Sequence, residues 1–202
     1  MKQIDFEKGK ITENILMAAV PMLVAQVLSL LYNIVDRIYI ARIPGIGTTA
    51  LGAVGLCFPV IVIITAFSNL FGSGGAPLFS IERGRGNRKR ASQIMNTSFT
   101  MLCICAILIM TVGLLFANPI LTLFGASREA LVYAIPYLMI YLIGTLPSMI
   151  ATGMNPFINA QGYSTIGMLS VATGAVANII LDPIFIFIFK WGMMGAAVAT
   201  VM

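Results

Sequence analysis

Residues 15–40 read ILMAAVPMLVAQVLSLLYNIVDRIYI, a run of apolar residues in which Asp36 and Arg37 are the charged ones. Roughly 20 helical residues of this character cross the hydrocarbon core of a membrane, so the stretch predicts a membrane-spanning helix. An ionisable side chain inside such a helix is costly and usually faces the bundle interior or a water-filled cavity. Asp36 is therefore a candidate for an ion or substrate path.

The rest of the chain has the same character. Hydrophobic residues make up 59% of it, charged residues 9%, and there is no histidine, whereas a soluble domain carries roughly 25% charged residues. Further apolar runs lie at 51–71, 92–117, 130–152 and 165–189, and a sixth begins near 193. The sequence predicts an all-α membrane protein, a six-helix transmembrane bundle in which the last helix is incomplete. We interpret the chain as a fragment of a longer protein.

The basic residues indicate an orientation in the membrane. The net charge of +5 could suggest nucleic acid, but the lysines and arginines lie at the ends of apolar runs, so we predict no nucleic-acid partner. Loops rich in these residues stay on the cytoplasmic side. Two segments carry most of them: Lys2, Lys8, Lys10, Arg83, Arg85, Arg88, Lys89 and Arg90. The prediction is a multi-pass protein of the plasma or inner membrane with a cytoplasmic amino terminus.

The first span carries a polar stripe. Gln26, Ser29, Asn33 and Asp36 recur at spacings of three and four, so they share one helix face. Such groups often join neighbouring helices by hydrogen bonds, and that interpretation stays open for the amides and the serine. A structural carboxylate would need a fixed cation, and Arg37 projects about 100° away around the helix. Pairing of Asp36 with another arginine also stays open.

The fifth span carries a second polar pair. Asn178 and Asp182 are four residues apart and lie on one helix face. Pro183 follows directly and removes a backbone donor, so nearby carbonyls can turn toward a ligand. Carboxylate and amide oxygens suit sodium or a proton, and the lack of histidine and clustered cysteine argues against zinc or copper. We predict a cation site and no other cofactor.

Other side chains are candidates for a substrate cavity or for gating. Pro21 introduces a weak point into the first span, although proline is frequent in membrane helices. Tyr137 and Tyr141 are four residues apart and could line a cavity or anchor at an interface. Gln26, Asn33 and Asn155 complete this set.

Several motifs together resemble one known family, the multidrug and toxic compound extrusion (MATE) transporters. They follow one another along nearly the whole chain in the family's order. The matching pieces are Asn33-Ile34-Val35-Asp36, Gly72-Ser73-Gly74-Gly75-Ala76, Arg85-Gly86-Asn87, Asn159-Ala160-Gln161-Gly162, and Asn178 with Asp182. Each piece is weak alone, and the series is specific. Asn159 departs from the family, which often has arginine there.

The resemblance implies a twelve-helix antiporter of two six-helix lobes that exports drug-like, mostly cationic, organic molecules in exchange for sodium or protons. This chain is similar to the amino-terminal lobe. The implied partners are a small organic substrate, the lipid bilayer and the missing carboxy-terminal lobe. Asp36, Asn178, Asp182 and Thr200 match the family's cation ligands, and Pro21 matches a proline at which family members bend.

Three alternatives remain open at this point. A lipid-linked precursor flippase of the same superfamily would share the architecture, but its cavity should carry several basic residues, and the spans offer essentially Arg37. An intramembrane enzyme could use Asp36 and Asp182 as an acid/base pair, although the resemblance favours a protein that is not an enzyme. In a fragment or scaffold that does not transport, the buried aspartates would be an unexplained cost.

Overall fold

The computed structural model describes residues 10–202, and this part of the chain is helical without any strand. The elements are α1 (Ile11–Ala41), α2 (Gly47–Gly84), α3 (Arg88–Leu123), α4 (Arg128–Ile143), α5 (Thr145–Ala160), α6 (Ser164–Pro183), a π-helical turn (Ile184–Ile188) and α7 (Met193–Val201). Lys2 and Lys8, which contribute to the predicted orientation of the amino terminus, lie outside the described residues.

Four of these helical segments are long and apolar enough to cross a membrane: α1, α2, α3 and α6 with its π-helical turn. The pair α4 and α5 passes the same criterion together and forms a fifth span that is bent by 56°. The prediction of an all-α, multi-pass membrane protein is confirmed. The segment predicted to begin the sixth span is the nine-residue α7.

The fourth predicted span, 130–152, consists of two helices that meet at a bend. α4 ends at Ile143 and α5 begins at Thr145, with Gly144 between them. Pro147 explains the break because it has no N–H to donate to the carbonyl of Ile143, and its ring crowds that same carbonyl.

Two helices extend beyond the apolar runs that predicted them. α2 continues past residue 71 through the glycine-rich segment 72–76 to Gly84. The polar break predicted at Asn118 and Pro119 lies inside α3, which continues to Leu123. Pro119 distorts this helix instead of ending it, and Phe116 takes the non-helical angles φ −114° and ψ 18°. In both cases the helix is longer than its most apolar part.

The helices pack in two groups that together position the polar residues. α2 packs on α3, α4 and α5, while α1 packs mainly along α6. The apolar core contains fully buried side chains of α3, α4 and α5, among them Leu102, Leu138 and Met149. The contact between α1 and α6 brings the first and fifth predicted spans side by side, and both of these carry an aspartate.

Candidate cation site

Asp36 of α1 and Asp182 of α6 are buried and face each other. The side chain of Asp182 is completely buried and Asp36 is 9% exposed. Their carboxyl groups lie close enough to interact. The sequence alone left this contact undecided, since it depends on how α1 packs along α6.

Asn178 completes the polar cluster. It lies one helical turn before Asp182, and its Nδ2 atom donates to Asp182 Oδ1 at 3.4 Å. Three further oxygen atoms of the cluster are buried: Asp36 Oδ1, Asn178 Oδ1 and Asp182 Oδ2. Within the part of the chain that the structure describes, no hydrogen-bond donor reaches any of them. The cluster therefore presents an excess of buried acceptor oxygens.

No basic side chain of the described residues forms an ion pair with this cluster, although Arg37 is close enough to Asp36 to interact with it electrostatically. Between residues 10 and 202 the one ion pair joins Glu82 and Arg85. The guanidinium group of Arg37 lies over the ring of Phe58, 5.6 Å from its centroid, so it is directed toward α2. Across the same residues no group of three or more histidine, cysteine, aspartate or glutamate side chains could hold a metal ion. The donor set therefore fits sodium or a proton better than a transition metal.

The helix changes its geometry directly after Asp182. Pro183 ends α6, and the backbone continues as the π-helical turn Ile184–Ile188. Proline has no N–H for the carbonyl of Ile179, four residues earlier. π-helical turns are often found at functional sites. Asp182 thus lies where regular α-helical bonding stops.

Aromatic side chains surround the carboxyl groups. Tyr137 of α4 is 3% exposed and lies near both aspartates, and its ring stacks on Tyr141 with centroids 6.5 Å apart. Tyr32 also lies near Asp36 and is a residue that the sequence analysis missed. It precedes Asp36 by four residues, and this spacing could have identified it.

The remaining polar residues of α1 do not join the cluster. α1 continues as one helix through Pro21. Gln26 and Asn33 are exposed, and Asn33 Nδ2 donates to the carbonyl of Ser29 at 2.7 Å. Only Asp36 of the polar stripe is buried in the lobe.

Thr200 and Asn155 both make bonds to backbone. Thr200 Oγ1 donates to the carbonyl of Ala196, within α7, at 2.9 Å. Asn155 Nδ2 donates to the carbonyl of Gly167 at 3.1 Å, and its Oδ1 accepts from Asn159 Nδ2 at 3.1 Å. Asn155 therefore connects α5 to α6.

Comparison with known proteins gives a family match and similar proteins along most of the chain. The MatE family model matches residues 21–184. The multidrug export protein MepA of Staphylococcus haemolyticus (strain JCSC1435) is 28% identical over 195 residues, which are 96% of this chain and 43% of that protein. The chain thus spans less than half the length of this curated relative.

Solved structures extend the likeness to three dimensions. A structure of MATE in the straight conformation has a TM-score of 0.91 and 28% identity, and the match covers 100% of this chain and 44% of that one. MATE in the bent conformation has a TM-score of 0.84 and 30% identity, over 93% of this chain and 41% of that one.

Proposed function

Because this chain belongs to the MatE family, we propose that it is the amino-terminal lobe of a multidrug exporter driven by a sodium or proton gradient. The relatives named above are a multidrug export protein and MATE transporters, which supports export as the activity of the whole protein. Coupling to a cation is supported by the geometry of this chain itself.

The observation that carries the coupling is the buried pair of carboxyl groups. Two unit charges 4 Å apart repel each other by about 4 kcal/mol even at an effective dielectric constant of about 20. Asp36 and Asp182 face each other, and among the described residues neither forms an ion pair. Such a pair holds together when a proton or a metal cation lies between the oxygens. Asp36, Asp182 and Asn178 would hold the cation.

The same pair offers a route from cation binding to movement. α1 packs mainly on α6, and Asp36 meets Asp182 across this contact. Binding of a cation replaces repulsion by attraction between the two helices, and its loss reverses the change. Export follows if cation and substrate favour different arrangements of these helices, since a ligand with equal affinity for both states shifts nothing.

The experiment is efflux of ethidium, a fluorescent cationic dye, from proteoliposomes that contain the full-length protein under an imposed proton or sodium gradient. We expect Asp36→Asn and Asp182→Asn each to reduce gradient-driven efflux by about 5- to 150-fold, the usual range of coupling between sites. Glu13→Gln is the matched control, because Glu13 is an exposed carboxylate in the first turn of the same α1.

Full efflux in Asp36→Asn would remove this residue from the coupling. Efflux that follows neither gradient in the unchanged protein would contradict cation coupling altogether, and transport of a lipid-linked precursor would then be measured in the same vesicles.

A further inference from the structure

A groove of about 420 Å³ lies between α2 and α3, next to the basic segment 83–90. None of its lining residues belongs to the cation site. The α2 side includes Leu70, Gly74 and Leu78, and the α3 side includes Arg90, Thr97 and Met101. This volume is within the range of about 300–1,000 Å³ that is typical of small-molecule sites.

The groove has the length of one membrane leaflet. Along α3 it extends from Arg90 to Met101, which is about 16 Å at a rise of 1.5 Å per residue. This is roughly half of the 30 Å hydrocarbon thickness. Gly74 leaves room for an occupant, because a Cβ atom added there would meet no other atom within 4 Å.

The mouth of the groove is basic. Arg90 lies in the first turn of α3, where Asn87 Oδ1 accepts from the Arg90 backbone N–H at 3.1 Å and so fixes its position. The nearby carboxylate of Glu82 is already paired with Arg85 at 3.0 Å. Within residues 10–202 Arg90 has no carboxylate partner, and it is the one basic residue that lines the groove.

The wall of the groove carries unused hydrogen-bond donors. Half of the serine and threonine hydroxyls on α2 and α3 donate to the carbonyl four residues back, as Ser80, Thr100 and Thr111 do at 3.0, 2.9 and 2.8 Å. Thr97 and Ser98 line the groove, and in the described part of the chain neither donates to any protein atom. Their hydroxyl groups are therefore available to a bound molecule.

We propose that this groove binds a phospholipid with an anionic headgroup, taken from the leaflet next to the 83–90 segment. The phosphate lies at Arg90, the ester carbonyls accept from Thr97 and Ser98, and one acyl chain follows the apolar floor along Leu70 and Met101. The basic mouth disfavours a cationic occupant, and the apolar floor disfavours a free inorganic anion. This site is separate from the cation site and does not depend on the proposed export activity.

The test is native mass spectrometry of the full-length protein in detergent with added dioleoyl-phosphatidylglycerol or dioleoyl-phosphatidylcholine. We expect one phosphatidylglycerol to bind more tightly than phosphatidylcholine. Arg90→Gln should weaken its binding about fivefold, the usual contribution of one basic residue near a charged lipid surface. Gly74→Leu, which fills the groove without a clash, should abolish this binding.

Two matched controls locate the site. Arg88→Gln removes the same charge from the first turn of α3 at a residue that does not line the groove, and Gly52→Leu adds the same side chain as Gly74→Leu to an open position on α2. Both should leave the affinity unchanged. Equal binding of the two lipids, an equal loss in Arg88→Gln, or full binding in Gly74→Leu would each overturn the proposal. So would occupation of the groove by the other lobe, seen as a Thr97→Cys crosslink to it.

Discussion

α1 and α2 are both long apolar helices, yet they differ in how many of their residues are buried and in how many helices they pack against. Within the described part of the chain, only Asp36 and Ile40 of α1 are buried, whereas eleven residues of α2 are buried. α2 packs against α3, α4 and α5, while α1 depends mainly on α6. α2 is thus fixed in the middle of the lobe, and α1 lies at its edge.

The two contacts also differ in chemistry. α2 approaches α5 so closely that a Cβ atom on Gly72 would lie 3.1 Å from backbone atoms of Gly153, a contact that depends on shape alone. The contact between α1 and α6 includes two carboxyl groups, whose mutual repulsion a bound cation would offset under the proposed function. The contact of α2 with α5 is thus made by small residues, and the contact of α1 with α6 contains ionisable groups.

The largest effect on stability is expected from a change that disrupts the close contact between α2 and α5. Gly72→Leu places a side chain against the backbone of Gly153, and overpacking of this kind costs about 1–3 kcal/mol or more. We expect a clearly lower thermal unfolding temperature of the full-length protein in detergent. Gly55→Leu, on the same helix but with no atom within 4 Å of an added Cβ, is the control. Equal unfolding temperatures would show that α2 and α5 are not in close contact.

The next effect concerns the orientation of Asp182. Asn178→Ala removes the amide that donates to Asp182 Oδ1, and a hydrogen bond to a charged group contributes about 1.5–3 kcal/mol. We expect about tenfold slower gradient-driven efflux with unchanged folding, a smaller loss than in the aspartate variants. The exposed Asn69 of α2 provides the control Asn69→Ala. A loss of folding in Asn178→Ala, instead of a loss of efflux, would make this residue structural.

A variant of Pro183, which follows Asp182 directly, is expected to raise stability instead of lowering it. Pro183→Ala restores an N–H for the carbonyl of Ile179 and removes the cause of the π-helical turn. The unfolding temperature should rise while efflux slows, since a more regular α6 can move less against α1. Pro77→Ala, within α2, is the control and should leave the rate of efflux unchanged. Faster efflux in Pro183→Ala would contradict the role given to the turn.

The smallest effect is expected on the exposed face of α1. Asn33 is bonded to its own helix backbone, so Asn33→Leu should change the unfolding free energy by no more than about 0.5 kcal/mol. A modest change in the relative efflux of different cationic dyes is expected if this face meets the substrate. A loss of efflux as large as that in Asp36→Asn would instead place the coupling ion on this face.

Much of this arrangement could be predicted from local sequence. Apolar runs identified the spans, the cost of a buried charge identified Asp36 and Asp182, and the spacing of four predicted the contact of Asn178 with Asp182. Proline was a poor guide to helix ends, because α1 continues through Pro21 whereas Pro147 accompanies a 56° bend. The outcome depends on neighbouring helices that can compensate for the missing bond.

The sequence could not predict that Asp36 and Asp182 face each other, because this depends on packing between helices that are distant in the sequence. The same holds for the groove beside Arg90, which exists only because α2 continues beyond the predicted end of its span and packs along α3. Contacts of this kind are determined by tertiary packing and not by local periodicity.

The most direct test of the central claim is the thermal unfolding of the purified full-length protein with and without sodium, at several pH values. A cation that binds only the folded state stabilises it by about 2.7 kcal/mol at 100 times its Kd. If Asp36 and Asp182 share one cation, Asp36→Asn, Asp182→Asn and the double variant should all lose the cation-dependent rise in unfolding temperature to the same extent. A full rise in either single variant would contradict a shared site.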